Sequence, residues 1–373
     1  MTAPEFSGAF FLSKMMMKKS FALSFLSFLP CLFLACHTAK TQSTIAQIVS
    51  MEYPKDSVAE RMLLYQRDNG GWPQPGGNAI NYSLTIKPEL RKKLLSDKKV
   101  YDTTIDDKAT TKEINTLVKA YSQTQNPSYL QAAENGIKYL LEAQSKAGGW
   151  GQFYPDTAGY RKHITYNDNA MIDVMKVMRS TVEAKDEYAS VSPSLRPLAQ
   201  NAMERGIRCI LNTQVRQNGT LTVWCAQHDR LTLKPAKARK FELPSLSGAE
   251  SVGIINFLMA IKNPSEEIKQ SIKSAVEYLE SVKIKGIKVE DIPALALPKG
   301  KDRVVIADPK GEVWARFYDL ETNQPFFVGR DSVPKATLAE IEHERRIGYG
   351  YYGDWPKKLI EVDYPKWLAK WSK

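Results

Sequence analysis

From residue 56 to residue 282 the apolar positions recur at intervals of three and four, which predicts serial helices over about 56–67, 111–124, 128–145, 169–184, 195–213, 248–262 and 266–282. Long loops rich in glycine and aromatic residues separate them. Strand-like alternation is scarce before residue 300 and then takes over. Arg303 to Arg316 reads as two alternating runs about Asp308-Pro309-Lys310-Gly311, a hairpin signature that sets Trp314, Arg316 and Tyr318 on one face. A second extended piece, 325–330, puts Arg330 on the face of Phe326 and Val328. The stretch from Ile347 to Pro356 holds too much glycine and aromatic character for a simple helix and is expected to plug or line the helical array.

The pattern repeats internally. Gln66 to Gln74 and Gln144 to Gln152 both read Gln-x-x-x-Gly-Gly-Trp-x-Gln, and a looser copy runs from Gln214 through Asn218-Gly219 to Trp224 and Gln227. The spacing leaves room for two helices plus loops per copy, and three helix pairs can close into a ring of inner and outer helices. The glycines supply the positive φ that stops each helix. Each tryptophan either packs on the preceding helix or faces a ligand.

Composition adds that the chain is globular rather than disordered, with 43% hydrophobic and 25% charged residues. The first residues read differently. Lys18 and Lys19 precede an apolar run, Phe21 to Ala35, too short for a bilayer-spanning helix. Basic start, apolar middle and small residue before a cleavage point match a secretory signal over 1–36, followed by a polar tether over 37–50 and the folded domain over 51–373. Leu34-Ala35-Cys36 resembles a bacterial lipoprotein site that would leave Cys36 lipidated; plain secretion stands beside it. Without residues 1–36 the chain carries 49 basic and 40 acidic residues, a net of +9. That balance suits acidic polysaccharide, nucleic acid or a membrane surface, and equally suits general solubility. Cys209 and Cys225 are expected to be free, buried thiols. The four histidines are scattered, without metal-binding spacing.

Three acidic or basic segments are candidates for chemistry. Thr110 with Glu113 reads as a capping box, which leaves Asp106 and Asp107 free of that duty. Asn167-Asp168-Asn169 reads either as the N-cap of the helix carrying Met171 and Met175 or as a set of hard oxygen ligands of the kind calcium prefers. Lys237, Arg239 and Lys240, with Lys234 nearby, are held before a helix that Pro244 and a Ser247–Glu250 box rigidify; a solvated basic loop is the alternative. Arg316 and Arg330, set among aromatics, either clamp carboxylates or stack at the surface.

Together the segments 69–74, 104–110, 148–155, 165–171, 221–229, 238–251, 314–318 and 348–356 resemble a pectate lyase of polysaccharide lyase family 10, in family order across nearly the whole mature chain. The resemblance implies an all-α fold, an (α/α) toroid of three helix pairs with long loops and a few short C-terminal β-hairpins. It implies a Ca2+ cofactor bound by Asp168 and Asp106, with Arg239 as the base of a β-elimination on polygalacturonate. It implies that Arg316 and Arg330 contact substrate carboxylates and leaves the role of Asp107 open, because the family often carries asparagine there; Lys237, Trp150 and Tyr166 are expected as further substrate contacts from the residues themselves. The chain is expected to be an exported monomer without a nucleic-acid partner, meeting membrane only through a possible lipid anchor at Cys36. Lys237, Lys240, the metal and any nearby arginine are expected to disfavour the charged form of Arg239, so activity should rise into the alkaline range; Lys237 or Lys240 is the local alternative base.

The glutamine–tryptophan copies also resemble the repeats of triterpene cyclases, but the chain is short and basic and offers no clear apolar entrance. The reading from a different class is a non-catalytic, acidic-polysaccharide-binding lipoprotein on the same fold. Asp106, Asp168 and Arg239 favour the enzyme.

Overall fold

The computed structural model describes residues 52–371, so the expected signal, Cys36 and the tether lie outside the described residues. The helices are α1 (Ser57–Tyr65), α2 (Pro88–Ser96), α3 (Thr111–Thr124), α4 (Pro127–Ala143), α5 (Ala170–Glu183), α6 (Leu195–Thr213), α7 (Glu250–Met259), α8 (Glu266–Ser281), α9 (His343–Gly348) and α10 (Tyr364–Trp371). Those expected from periodicity are present. The lysine-rich α2 and the short α9 and α10 are additional. Asp56, Asn126 and Ser265 cap α1, α4 and α8 by accepting hydrogen bonds from N–H groups of the first turn.

The helices pair as α3 with α4, α5 with α6 and α7 with α8. One layer runs from α1 to α4 to α6, and the other from α3 to α5 to α7. The repeat explains the layering. Trp72, Trp150 and Trp224 are fully buried, and each indole N–H donates to a carbonyl near the end of the preceding helix: Met62 at 2.8 Å, Leu140 at 2.7 Å and Ile210 at 2.8 Å. The first glutamine of each copy staples that helix to the next one in its layer. Gln66 donates to the carbonyls of Gly70 and Ala132, Gln144 to those of Gly148 and Ala202, and Gln214 to those of Thr222 and Ser271. The close approach explains the glycines. Gly70 and Gly148 have φ of +90° and +91°, and a Cβ on either would lie 2.3 Å from the carbonyl oxygen of Asn135 or Arg205.

The tryptophans therefore pack rather than bind sugar, which corrects the assignment of Trp150 to the substrate. Replacing Trp150 with alanine is expected to lower folding stability by about 3–5 kcal/mol through the cavity it leaves. The denaturant midpoint should fall while turnover per folded molecule stays unchanged.

The late strands also differ from expectation. Asp308–Gly311 is not a hairpin turn. It is an excursion within one long strand, Lys301–Ala315, that pairs antiparallel with Ile284–Pro293 and shifts register between Lys285 and Ile287. The connection is the segment 294–300. Ile284–Pro293 also alternates, but it follows α8 so directly that the helical period masks its start. Tyr352–Gly353 pairs with the end of the long strand, at Ala315 and Trp314. This brings the glycine- and aromatic-rich tail against the cleft. Cys209 and Cys225 are free and buried, as expected.

Candidate active site

Each repeat delivers the same pair of groups to one place. The tryptophan carbonyl accepts a hydrogen bond from a residue of the following loop: Trp72 from Thr104 at 3.0 Å, Trp150 from Thr165 at 3.0 Å and Trp224 from Ser247 at 2.8 Å. A few positions beyond these anchors come Asp106, Asp168 and Glu250. The last glutamine of each copy, Gln74, Gln152 and Gln227, lines a polar cleft of about 240 Å³ together with Asp106, Asp107, Asp168, Arg161, Arg239 and Glu242.

Two of the carboxylates, Asp107 and Asp168, sit on left-handed backbone. Asp107 and Lys108 have φ of 44° and 68°, and Asp168 and Asn169 have 49° and 64°. Left-handed geometry is costly for such residues and persists where neighbours enforce it. Here Gln74 Nε2 donates to Asp107 Oδ2 at 2.6 Å, and Asn167 Nδ2 donates to Asp168 Oδ2 at 2.6 Å. None of the Asn167-Asp168-Asn169 side chains caps α5, so the capping alternative fails. The Thr110–Glu113 box is only half formed, Glu113 accepting from the Thr110 backbone while the Thr110 side chain does not cap α3. The Thr110 hydroxyl instead donates to the Thr104 carbonyl at 2.9 Å and accepts from the Trp72 N–H at 3.0 Å, locking the Asp106 loop to the repeat.

The acids repel one another. Burial pushes the Asp106 carboxyl up, and Asp107 and Asp168 add to that against a hydrogen bond from the Gln152 amide. Burial also raises Asp168; Arg316 opposes the shift, while Glu250 and Asp107 reinforce it. Beside them the Gln152 Oε1 is buried without a hydrogen-bond partner among the described residues. Among the described residues no three His, Cys, Asp or Glu gather closely enough to hold a metal alone. What the cleft offers is Asp106, Asp168 and an orphaned amide oxygen, an all-oxygen partial set that fits a hard cation with coordination left over for ligand oxygens.

Cationic groups accompany the acids. Arg239 is bound bidentately by Glu242, Nε to Oε2 at 2.8 Å and Nη2 to Oε1 at 2.6 Å. The Tyr349 hydroxyl donates to Glu242 Oε1 at 3.1 Å. Arg316 gives Nη2 to Glu250 Oε1 at 2.6 Å and to Asp168 Oδ1 at 3.4 Å, and lies over the Tyr349 ring. Arg330 pairs with Glu344 and, with Arg239 and Arg345, surrounds the Phe241 ring at 4.7–5.8 Å. The hydrogen bonds to Glu242 push the Arg239 guanidinium up from its usual range, the reverse of the shift expected from neighbouring cations. Lys237 and Lys240 are exposed and outside the cleft lining, so solvent screens them, whereas Glu242 is buried and in contact.

Asp106, Asp107, Asp168 and Arg239 thus meet in one cleft, and Arg316 bridges it to Glu250. Tyr166 does not join them. It is fully buried, with its hydroxyl 2.7 Å from Thr213 Oγ1, so its proximity in sequence to Asp168 reflects core packing. The residues missed are Glu242, Glu250, Tyr349, Arg161 and the three glutamines. The glutamines carried a signal, as the invariant last letter of the repeat.

Residues 66–360 match the sequence family described as pectic acid lyase. The chain belongs to this family. A solved family 10 polysaccharide lyase from Cellvibrio cellulosa is 31% identical, with a TM-score of 0.72 over 84% of this chain and 92% of that one. A mutant of that Cellvibrio cellulosa enzyme in complex with trigalacturonic acid is 32% identical, with a TM-score of 0.73 over 83% of this chain and 92% of that one. No match was found among curated proteins. As a member of the pectic acid lyase family, the protein is a polysaccharide lyase, and the binder and cyclase alternatives are set aside.

Proposed function

We propose that the protein is a calcium-dependent pectate lyase that cleaves α-1,4-polygalacturonate by β-elimination to 4,5-unsaturated oligogalacturonides, on an (α/α) toroid of three helix pairs. One observation carries the reading: acids suited to a hard cation and the Arg239 guanidinium line one cleft of about 240 Å³. The pairing of α3 with α4, α5 with α6 and α7 with α8 supports the toroid.

The C5 proton of a galacturonate lies α to its C6 carboxylate, and removing it leaves charge delocalised into that group. Asp106 and Asp168, with Gln152 Oε1, would hold Ca2+, which neutralises the carboxylate as charge develops there. Arg239 in its neutral form takes the C5 proton at Nη1, the nitrogen that Glu242 does not engage, and becomes the guanidinium cation. Arg316, held by Glu250 and Tyr349, adds fixed positive charge beside Asp168. The C4 oxygen leaves with the electron pair of its bond and takes a proton from solvent, so no water is consumed. Asp107 within the cleft and Arg330 beyond its lining would contact neighbouring sugars of the polymer. Export, either by plain secretion or with lipid on Cys36, accompanies this reading, because the polymer is extracellular.

The test is absorbance of the unsaturated product from polygalacturonate with calcium, with chelator, and after calcium is restored. Product formation that chelator stops and calcium restores is expected. Full activity in chelator removes the metal from the proposal, and no product under any condition removes the lyase.

A further inference from the structure

A second groove lies against the other side of the turn that walls the cleft. Pro75–Gly77 is a single tight turn. Gln74 and Gly77 line the catalytic cleft, while Pro75 and Asn78 line a separate groove of about 350 Å³. The turn is fixed to the catalytic side by the hydrogen bond from Gln74 to Asp107 at 2.6 Å. Its crest is bare backbone. A Cβ added to Gly77 would meet nothing within 4 Å, and one added to Gly76 only the Asn78 amide at 3.8 Å. A polymer leaving the cleft therefore finds a low ridge rather than a wall of side chains.

The groove differs in chemistry from the cleft. Ile80, Leu84, Ile86, Leu90, Tyr65 and Tyr82 supply an apolar lining, and Leu84 is left 63% exposed. Its charged members are Arg61 and Lys87, and no carboxylate is among its lining residues. Arg61 uses Nη1 on the Tyr82 carbonyl at 2.8 Å and is held beside the groove. An apolar lining penalises desolvation of a free carboxylate and favours burial of a methyl group. Arg61, drawn onto the Tyr82 carbonyl, and Lys87 are the two cations of the lining, and they suit anionic sugars on either side of a methyl ester.

We propose that this groove is an outlying subsite for a methyl-esterified galacturonosyl residue of the polymer whose unesterified residue is cleaved, the ester methyl packing among Leu84, Ile86 and Leu90. The proposal rests on the pectate lyase reading. It makes the enzyme suited to partly esterified pectin: a free carboxylate at the acids and Arg239, an ester a few sugars away.

The experiment compares kcat/KM of the full chain and of Leu84→Ser and Leu90→Ser variants on de-esterified polygalacturonate and on partly methyl-esterified polymer. Both leucines are substantially exposed, which spares the core. The expected result is a loss of about fourfold on the esterified polymer, the value of one buried methyl group, with unchanged kcat/KM on the de-esterified one. Equal losses on both polymers, or no loss on either, overturn the subsite while leaving the lyase intact. Absence of product from both polymers with the unaltered chain overturns the lyase reading and the subsite with it.

Discussion

Replacing Arg239 with alanine is expected to lower kcat/KM on polygalacturonate by about 10³–10⁴-fold, the upper range for losing a positioned proton acceptor. Two effects have to be separated. The substitution removes the base, and it also takes the cation from Glu242, whose side chain is 4% exposed and keeps only the Tyr349 hydroxyl and the backbone N–H of residue 239. A buried carboxylate that loses its cationic partner costs about 3–5 kcal/mol, so the melting temperature must be read beside the rate. Arg239→Lys keeps the charge but not the bidentate pair, and should recover stability more fully than turnover. The pH profile is the sharper readout. Glu242 favours the charged guanidinium, so the neutral form is scarce and the rate should climb with pH through the alkaline range without levelling. Glu242→Gln removes that carboxylate; the Arg239 pKa then falls, its neutral fraction at a given pH grows, and the rise should begin at lower pH. A flat profile from neutral to strongly alkaline pH counts against Arg239 as the base, and an Arg239→Ala protein that is folded and retains a tenth of its activity moves the base to Lys237 or Lys240.

How far the sequence discloses this site depends on the range of the interactions involved. The helices are legible because their signal is local: the three-and-four spacing of apolar residues survives without knowledge of neighbours. The repeat is legible for the same reason, and its meaning is not. Gln-x-x-x-Gly-Gly-Trp-x-Gln does not say that its first glutamine staples a helix, its tryptophan closes the core and its last glutamine faces the cleft. Those roles depend on partners such as Ala132 for Gln66 and Ala202 for Gln144, 66 and 58 positions away. The same limit hides the charge pairs. Arg316 reads as a free clamp until Glu250, 66 positions earlier, is found holding it. Arg239 reads as a cation among lysines although its partner is only three residues on, because sequence distance does not show that Glu242 is buried against it while Lys240 is left in solvent. Trp150 and Tyr166 read equally as core or as substrate contacts, because aromatic character serves the core as readily as a sugar site.

Replacing Asp168 with asparagine should cost about 10²–10³-fold in kcat/KM, the loss of several kcal/mol of charge stabilisation through a bound metal. The substitution keeps the shape of the side chain and one carbonyl oxygen. It removes a charge that burial, Glu250 and Asp107 already disfavour. The sign for stability follows from that raised carboxyl. An aspartate harder to ionise in the fold than in the unfolded chain contributes a penalty that grows as pH climbs from the ordinary range near about 3.9 and is complete above the folded-state pKa. At neutral pH and without calcium, Asp168→Asn is therefore expected to melt at a higher temperature than the unaltered protein. With calcium the order should reverse, because only the unaltered protein gains the binding energy. Half-saturation of activity by calcium should shift upward by at least about tenfold, one full charge at a hard-cation site being worth that much. Arg316 provides the internal control: Glu250 still holds it at 2.6 Å, so loss of its 3.4 Å contact with Asp168 should leave it in place. If Asp168→Asn binds calcium with undiminished affinity and still loses turnover, the carboxylate acts on the sugar directly and the metal belongs elsewhere in the cleft.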